Sequence, residues 1–281
     1  MSFFGFSCFA DNAAPDEKET KATSKPVTDN VIANQLAMSH YNVGCTLQSE
    51  GKLDEAIKSY RNAIEEDDRF CDAHYNLANA LQLTEMFEEA VAEYLKTIAL
   101  NDQHQLAYYN LGYIYFNNLK RSREGVKMLK KCLEIDPTDV DAQINMALAF
   151  NDLGMIDDVI KSYQYIIQHN DKSVMAHFNL GNAYLDVGKV QDALNSFQQV
   201  VLLDPDHADA YFNMAIIHQE HAADESIEKS IQKLELDKAL RCYQAVVSLR
   251  EKIDKDLFDD AQKGVSMVEH MLRASVSGSS S

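Results

Sequence analysis

Between residues 37 and 250 the apolar positions recur at helical spacing and repeat at long range. Small residues fall at Gly44, Ala78, Gly112, Ala147, Gly181 and Ala215, in steps of 34, 34, 35, 34 and 34 residues. A second series follows at Ala56, Ala90, Gly125, Val159, Ala193 and Ala239. Four residues after each member of that series stands a large side chain: Tyr60, Tyr94, Leu129, Tyr163, Phe197 and Tyr243. Three further on come Ala63, Thr97, Cys132, Ile166, Val200 and Val246. Offsets of three and four residues put these groups on one face of a helix. The pattern therefore predicts two amphipathic helices per period. A unit of that size cannot bury both its faces alone, so successive units must stack. Gly51, Gly154 and Gly188 suit turns between the paired helices, and Asp136-Pro137 and Asp204-Pro205 end one helix and prepare the next.

The period and these residues resemble the tetratricopeptide repeat over roughly residues 37–250. The resemblance implies an all-α, right-handed superhelical solenoid of antiparallel helix pairs. Six repeats are expected at 37–70, 71–104, 105–139, 140–173, 174–207 and 208–250. Position four of the family pattern is usually Trp, which this chain lacks; His40, His74, Tyr108, Gln143, His177 and Tyr211 stand there instead. The third repeat gains one residue, expected in its turn near Ser122. The sixth carries an insertion around 222–235 in which Ile227, Ile231 and Leu234 keep helical spacing. Either the insertion lengthens the second helix, or those three residues form that helix and the remainder is extra.

The ends differ from the repeats. Residues 1–29 lack the pattern, and the stretch from Asp11 to Asp29 has the mixed polar composition of a disordered segment. Asp29 or Asn30 is positioned to cap an early helix. Residues 251–273 carry Leu257, Ala261, Val265, Val268 and Leu272, an amphipathic series suited to capping the last apolar face. A Ser/Gly tail follows at 274–281.

The family resemblance implies that the first helix of each repeat lines a concave groove, through positions two, five, six, nine, twelve and thirteen. Position six is asparagine throughout: Asn42, Asn76, Asn110, Asn145, Asn179 and Asn213. This resembles the asparagine ladder in the repeats of O-linked N-acetylglucosamine transferase. A carboxamide donates and accepts, so it can pair with a peptide N–H and C=O together. Packed helices lie about 8–10 Å apart, close to the span of three extended residues. One amide per repeat can thus grip a main chain without reading its sequence; the alternative is that the amides are bonded within the array. Position five holds Tyr41, Tyr75, Tyr109, Ile144, Phe178 and Phe212, read as groove-wall packing or as pockets for ligand side chains. Positions two and thirteen of the last three repeats supply Asp141, Asp152, Asp186, Asp209 and Glu220. They favour a basic ligand segment, unless they are ordinary solvated carboxylates. No position-two residue is basic, which argues against the carboxylate clamp of chaperone-binding relatives.

Composition narrows the partner. The chain of 281 residues has a net charge of −18, which repels nucleic-acid phosphates and anionic lipid. Only 10 glycines and 4 prolines are present, favouring helix. The five cysteines have no CxxC pairing and read as reduced thiols in the cytoplasm. No apolar run reaches the ~20 residues of a membrane helix. Cys8, set among Phe3, Phe4, Phe6 and Phe9, is a candidate for N-terminal membrane tethering by acylation, against a disordered tip. Lys120, Arg121, Arg123, Lys127, Lys130 and Lys131 make the third repeat locally basic on its outer face. No phosphate-loop, dinucleotide, zinc-protease or nucleophile-elbow motif occurs, and His218 and His221 lack further convergent ligands. No cofactor, metal or catalytic residue is therefore expected. The sequence predicts a scaffold or adaptor binding an extended peptide. The alternatives are a structural subunit of a ciliary, cell-cycle or trafficking assembly, and a substrate-recruiting partner of a separate enzyme.

Overall fold

The computed structural model describes residues 27–277, with side chains from 31 to 274. The expectations for an N-terminal segment and for Cys8 fall largely or wholly outside these residues, as does the end of the tail. The described residues form thirteen α-helices and no strand, an all-α helical-repeat fold. Two compact units divide after Ala149. The first contains α1 (Val27–Ser49), α2 (Leu53–Glu66), α3 (Cys71–Leu83), α4 (Phe87–Leu100), α5 (Gln105–Tyr113), α6 (Ser122–Ile135) and most of α7 (Val140–Asp152). The second contains α8 (Ile156–His169), α9 (Val174–Asp186), α10 (Val190–Leu203), α11 (Ala208–Ala222), α12 (Lys229–Ser248) and α13 (Lys255–Ser277). The helix α1 includes Asp29 and Asn30, and α13 runs past residue 274.

Each even-numbered helix buries one stripe. In α2 it is Ala56, Ile57, Tyr60 and Ala63; in α10 it includes Ala193, Leu194, Phe197 and Val200. The large member of the stripe lies against the small residue of the paired helix. A Cβ on Gly44 would come within 2.6 Å of the Tyr60 ring, one on Gly112 within 2.7 Å of Leu129, and one on Gly181 within 2.6 Å of Phe197. Those glycines let two helices close over a side chain that is wholly buried.

Burying a tyrosine also buries a hydroxyl, which must find a partner. Tyr60 donates to Gln48 Oε1 at 2.7 Å, and Tyr243 to Gln219 Oε1 at 3.0 Å. The Tyr94 hydroxyl lies 2.8 Å from Gln82 Oε1 and 2.5 Å from Asn79 Oδ1. Where the large residue is Leu129 or Phe197, the position of the glutamine holds Phe116 or Leu185 instead. The polarity of one helix thus follows that of its partner.

Histidine replaces the family tryptophan with a different function. His74 is buried; its Nδ1 lies 2.5 Å from Glu93 Oε2 and its Nε2 3.1 Å from the Asp68 carbonyl. His177 Nε2 lies 2.8 Å from the Asp171 carbonyl. Each imidazole ties its helix to the loop six residues upstream.

The extra residue of the third repeat is not in the turn near Ser122. Gly112 and Gly125 are 13 residues apart, against 12 for Gly44 and Ala56. The surplus forms a π turn at Ile114–Asn118 that continues α5, with Leu119 N–H donating to Ile114 C=O at 3.0 Å. Widening one helical turn absorbs an insertion without moving the flanking helices out of register. The next turn position is left-handed in five places: Gly51, Gly154 and Gly188, but also Glu85 (φ 61°) and Lys120 (φ 55°).

Part of the 222–235 insertion extends α12, which is 20 residues long against 14 for α10; residues 223–228, with Ile227 among them, form a connection ahead of that helix. Leu234 and Ala239 lie in the same continuous helix. At its base Glu235 Oε2 lies 2.6 Å from buried His218 Nδ1, while Oε1 accepts from Lys238 at 2.7 Å. Burial pushes the Glu235 carboxyl up, but the Lys238 and His218 contacts outweigh it and hold the carboxyl below its usual value. The helix α13 then packs on α12: Ala261 and Val268 are fully buried, and a Cβ on Gly264 would meet the Tyr243 ring at 2.6 Å.

Three outcomes are expected. Gly44→Ala forces a methyl into the Tyr60 ring and lowers stability by about 1–3 kcal/mol in denaturant titration. Glu85→Gly relieves a left-handed backbone and raises stability by up to about 1 kcal/mol. A depressed carboxylate contributes stability that is present above its unfolded pKa and lost as pH falls through the folded one. Glu235→Gln therefore removes part of the acid sensitivity of thermal unfolding below about pH 4, measured against wild type.

Candidate peptide-binding face

In the first unit the position-six amides link one period to the next. Asn76 donates from Nδ2 to the Tyr41 hydroxyl at 2.9 Å and lies 3.7 Å from Cys45 Sγ. Asn110 donates to the Tyr75 hydroxyl at 3.4 Å and to Asn79 Oδ1 at 3.1 Å. Asn145 donates to the Tyr109 hydroxyl at 3.0 Å. Asn76 and Asn110 are buried, Asn145 is half-buried, and Asn42 on α1 is exposed. Of the two readings left open above, the N–H side of these amides follows the one in which they are bonded within the array.

The position-five tyrosines serve the same joint. The Tyr41 ring lies 4.9 Å from Phe70 and 6.0 Å from Tyr60, centroid to centroid. Tyr75 lies 4.5 Å from His104 and 6.0 Å from Tyr94. Each ring wedges between the second helix of its own pair and the residue that starts the next helix. His104 Nδ1 accepts from the Ala107 N–H at 3.2 Å, which requires an unprotonated nitrogen, and burial lowers its pKa in the same sense. Tyr41 is itself buried, so the structure removes it as a pocket wall; Tyr75 and Tyr109 are half-buried. Burial, helped by the charge of Asp141, pushes the Tyr109 hydroxyl up to about 12, so it stays protonated.

In the second unit Phe178 and Phe212 have no hydroxyl to offer. Asn213 donates to Asn182 Oδ1 at 3.1 Å, and Asn179 Nδ2 lies 3.1 Å from Met175 Sδ. Phe178 keeps the ring contact, 4.7 Å from His207, whose Nδ1 accepts from the Ala210 N–H at 3.3 Å. Asp186 on α9, Asp209 on α11 and Glu220 at the end of α11 are exposed. Asp141 is exposed on α7, in the first unit. Met38 on α1 and Leu106 on α5, both at position two, are exposed apolar groups.

Asn79 and Asn182 escaped sequence reading, although both occupy position nine. The signal was available: each lies 31 residues before the asparagine that donates to it, the same offset twice. The remaining chemistry is structural. Burial raises the thiols of Cys71 and Cys242 to about 11, and burial with Asp139 raises Cys132 to about 12. His221 Nδ1 lies 3.6 Å from Glu235 Oε2. Among the described residues no group of three or more His, Cys, Asp or Glu side chains is placed to hold a metal ion. No described helix is long and apolar enough to cross a membrane. Just ahead of α6, Arg121 stacks over Tyr115 at 4.7 Å and pairs with Glu124 at 2.9 Å, while Arg123 and Lys127 on α6 are exposed.

Two family models match the chain. One, described as TPR repeat, covers residues 39–84 and 181–221; the other, tetratricopeptide repeat, covers 72–104 and 106–139. Together they span just over half of the sequence. No curated protein matches by sequence. Among solved structures, YrrB, described as a TPR protein with an unusual peptide-binding site, is 24% identical with a TM-score of 0.58, covering 73% of this chain and 97% of its own. MamA from Desulfovibrio magneticus RS-1 is 19% identical with a TM-score of 0.55, covering 61% and 96% respectively. PilF from Pseudomonas aeruginosa is 14% identical with a TM-score of 0.56, covering 82% and 98%.

Proposed function

Because the chain belongs to the tetratricopeptide-repeat family, we propose that it is a protein-interaction scaffold that binds an extended peptide along the amide-bearing face of its odd-numbered helices. The observation that carries this reading is the amide row of the first unit. Tyrosine hydroxyls engage the N–H side of Asn76, Asn110 and Asn145. That fixes each carboxamide plane and leaves its oxygen as the acceptor for a ligand main-chain N–H. A group held in place before binding loses little entropy on binding. Exposed Met38 and Leu106 add apolar contact beside the row. In the second unit Asp186, Asp209 and Glu220 favour lysine or arginine in the ligand. The reading includes a cytoplasmic setting, supported by four described cysteines that are free thiols. YrrB, of the same fold, is described with a peptide-binding site.

A second reading, a structural subunit docked by its outer helices, is favoured by exposed Leu95 on α4 and Leu202 on α10.

The test uses peptides selected on the full chain from a random library. Asn76→Ala with Asn110→Ala is expected to weaken binding about tenfold or more, the equivalent of one to two lost hydrogen bonds. Tyr41→Phe with Tyr75→Phe loosens the same joint but keeps the amides, and should weaken binding less. Equal losses in the two variants, matched by equal falls in melting temperature, defeat the groove reading. Equal affinity for Lys-rich and Glu-rich ligands defeats the acidic preference.

A further inference from the structure

The last and first helices are finished differently. In the second unit α13 closes over α12 through Gly264, Ala261 and Val268. In the first, α1 presents an apolar stripe to solvent: Ile32 is 55% exposed, Leu36 44% and Val43 48%. These residues fall on one side of the helix, away from the buried Ala37, Tyr41 and Gly44.

Val43 occupies position seven of its repeat. The corresponding residues of later odd-numbered helices are apolar too, but buried: Leu77 (2%), Leu111 (0%), Met146 (8%), Leu180 (6%) and Met214 (8%). In α1, position three has become Ser39 and position ten Thr46, where α3 carries Ala73 and Ala80. Solvent-adapted residues therefore bound the stripe, while Ile32, Leu36 and Val43 stay apolar. Such a face needs a cover.

We propose that the cover is the chain's own Met1–Ala10 segment. It contains Phe3, Phe4, Phe6 and Phe9 and no charged residue. The stripe is equally neutral: residues 31–49 contain no Asp, Glu, Lys or Arg, in a chain of net charge −18. A second copy of so acidic a chain, or an anionic membrane, meets long-range repulsion; the tethered segment carries no acidic side chain and meets none. Reach is ample. The connecting residues 11–26 extend to about 50 Å, whereas Ile32 to Val43 spans about 17 Å of helix. A tether of this kind holds its end at an effective concentration on the order of millimolar. The aromatic segment then docks as an N-terminal cap, a role independent of the peptide-binding face.

The sequence has no tryptophan, so Phe6→Trp in the full chain gives a single reporter. The expected result is blue-shifted emission with slowed acrylamide quenching, unchanged across protein concentration and without lipid. Adding Ile32→Asp, Leu36→Asp and Val43→Asp should return the emission to that of a solvated indole; these side chains are exposed, and unchanged helical circular dichroism checks the fold. Solvent-like emission without those changes overturns the proposal. So does a blue shift insensitive to them, one that grows with protein concentration, or one that needs phosphatidylcholine or phosphatidylserine vesicles.

Discussion

The constraint on which the rest depends is the approach of a small residue to a large one across each helix pair. Gly44 against Tyr60 and Gly181 against Phe197 leave no room for a methyl group. Closing that distance buries an entire ring and sets the spacing of the pair. Once the spacing is set, the hydroxyl of a buried tyrosine has no water to turn to. The glutamines at 48, 82 and 219 are the consequence, and their replacement by Phe116 and Leu185 opposite Leu129 and Phe197 shows the dependence from the other side.

The same economy joins one pair to the next. Position-five rings lean on the residue that opens the following helix, and position-six amides reach back to the preceding tyrosine hydroxyl. The bonds from Asn76 and Asn110 bridge 35 residues, and that from Asn145 bridges 36, because the π turn lies between. In the proposed reading, an amide bonded within the array can also serve a ligand. Anchoring the N–H side is what gives the oxygen a fixed direction, and a fixed acceptor is of more use to an extended backbone than a rotating one. The second unit, with Phe178 and Phe212 at position five, achieves a similar link through Asn182.

Irregularities are absorbed where a helix can take them. One added residue becomes a π turn that continues α5 to Asn118, and part of a longer insertion becomes extra length in α12, pinned by His218, Glu235 and Lys238. The residues taken into helix keep their backbone groups hydrogen-bonded, which a protruding loop would leave to water.

Helical class, period and the small-against-large rule were legible in the sequence, because they depend on spacing and side-chain size alone. So were the turn glycines. The partner of each polar group was not. Whether Asn76 faced a ligand or Tyr41 depends on an atom 35 residues away, and no local pattern carries that distance. Tyr41 looked like a groove residue by position and proved buried, because Phe70 and Tyr60 close over it. Spacing alone puts the added residue of the third repeat in the turn, where insertions are usually cheapest; the packing of Gly112 on Leu129 and of Gly125 on Phe116 accompanies a widened helix instead. Periodicity fixes which residues must be inside, while hydrogen-bond partners are settled by three-dimensional proximity between periods, and that is a property of the folded array alone.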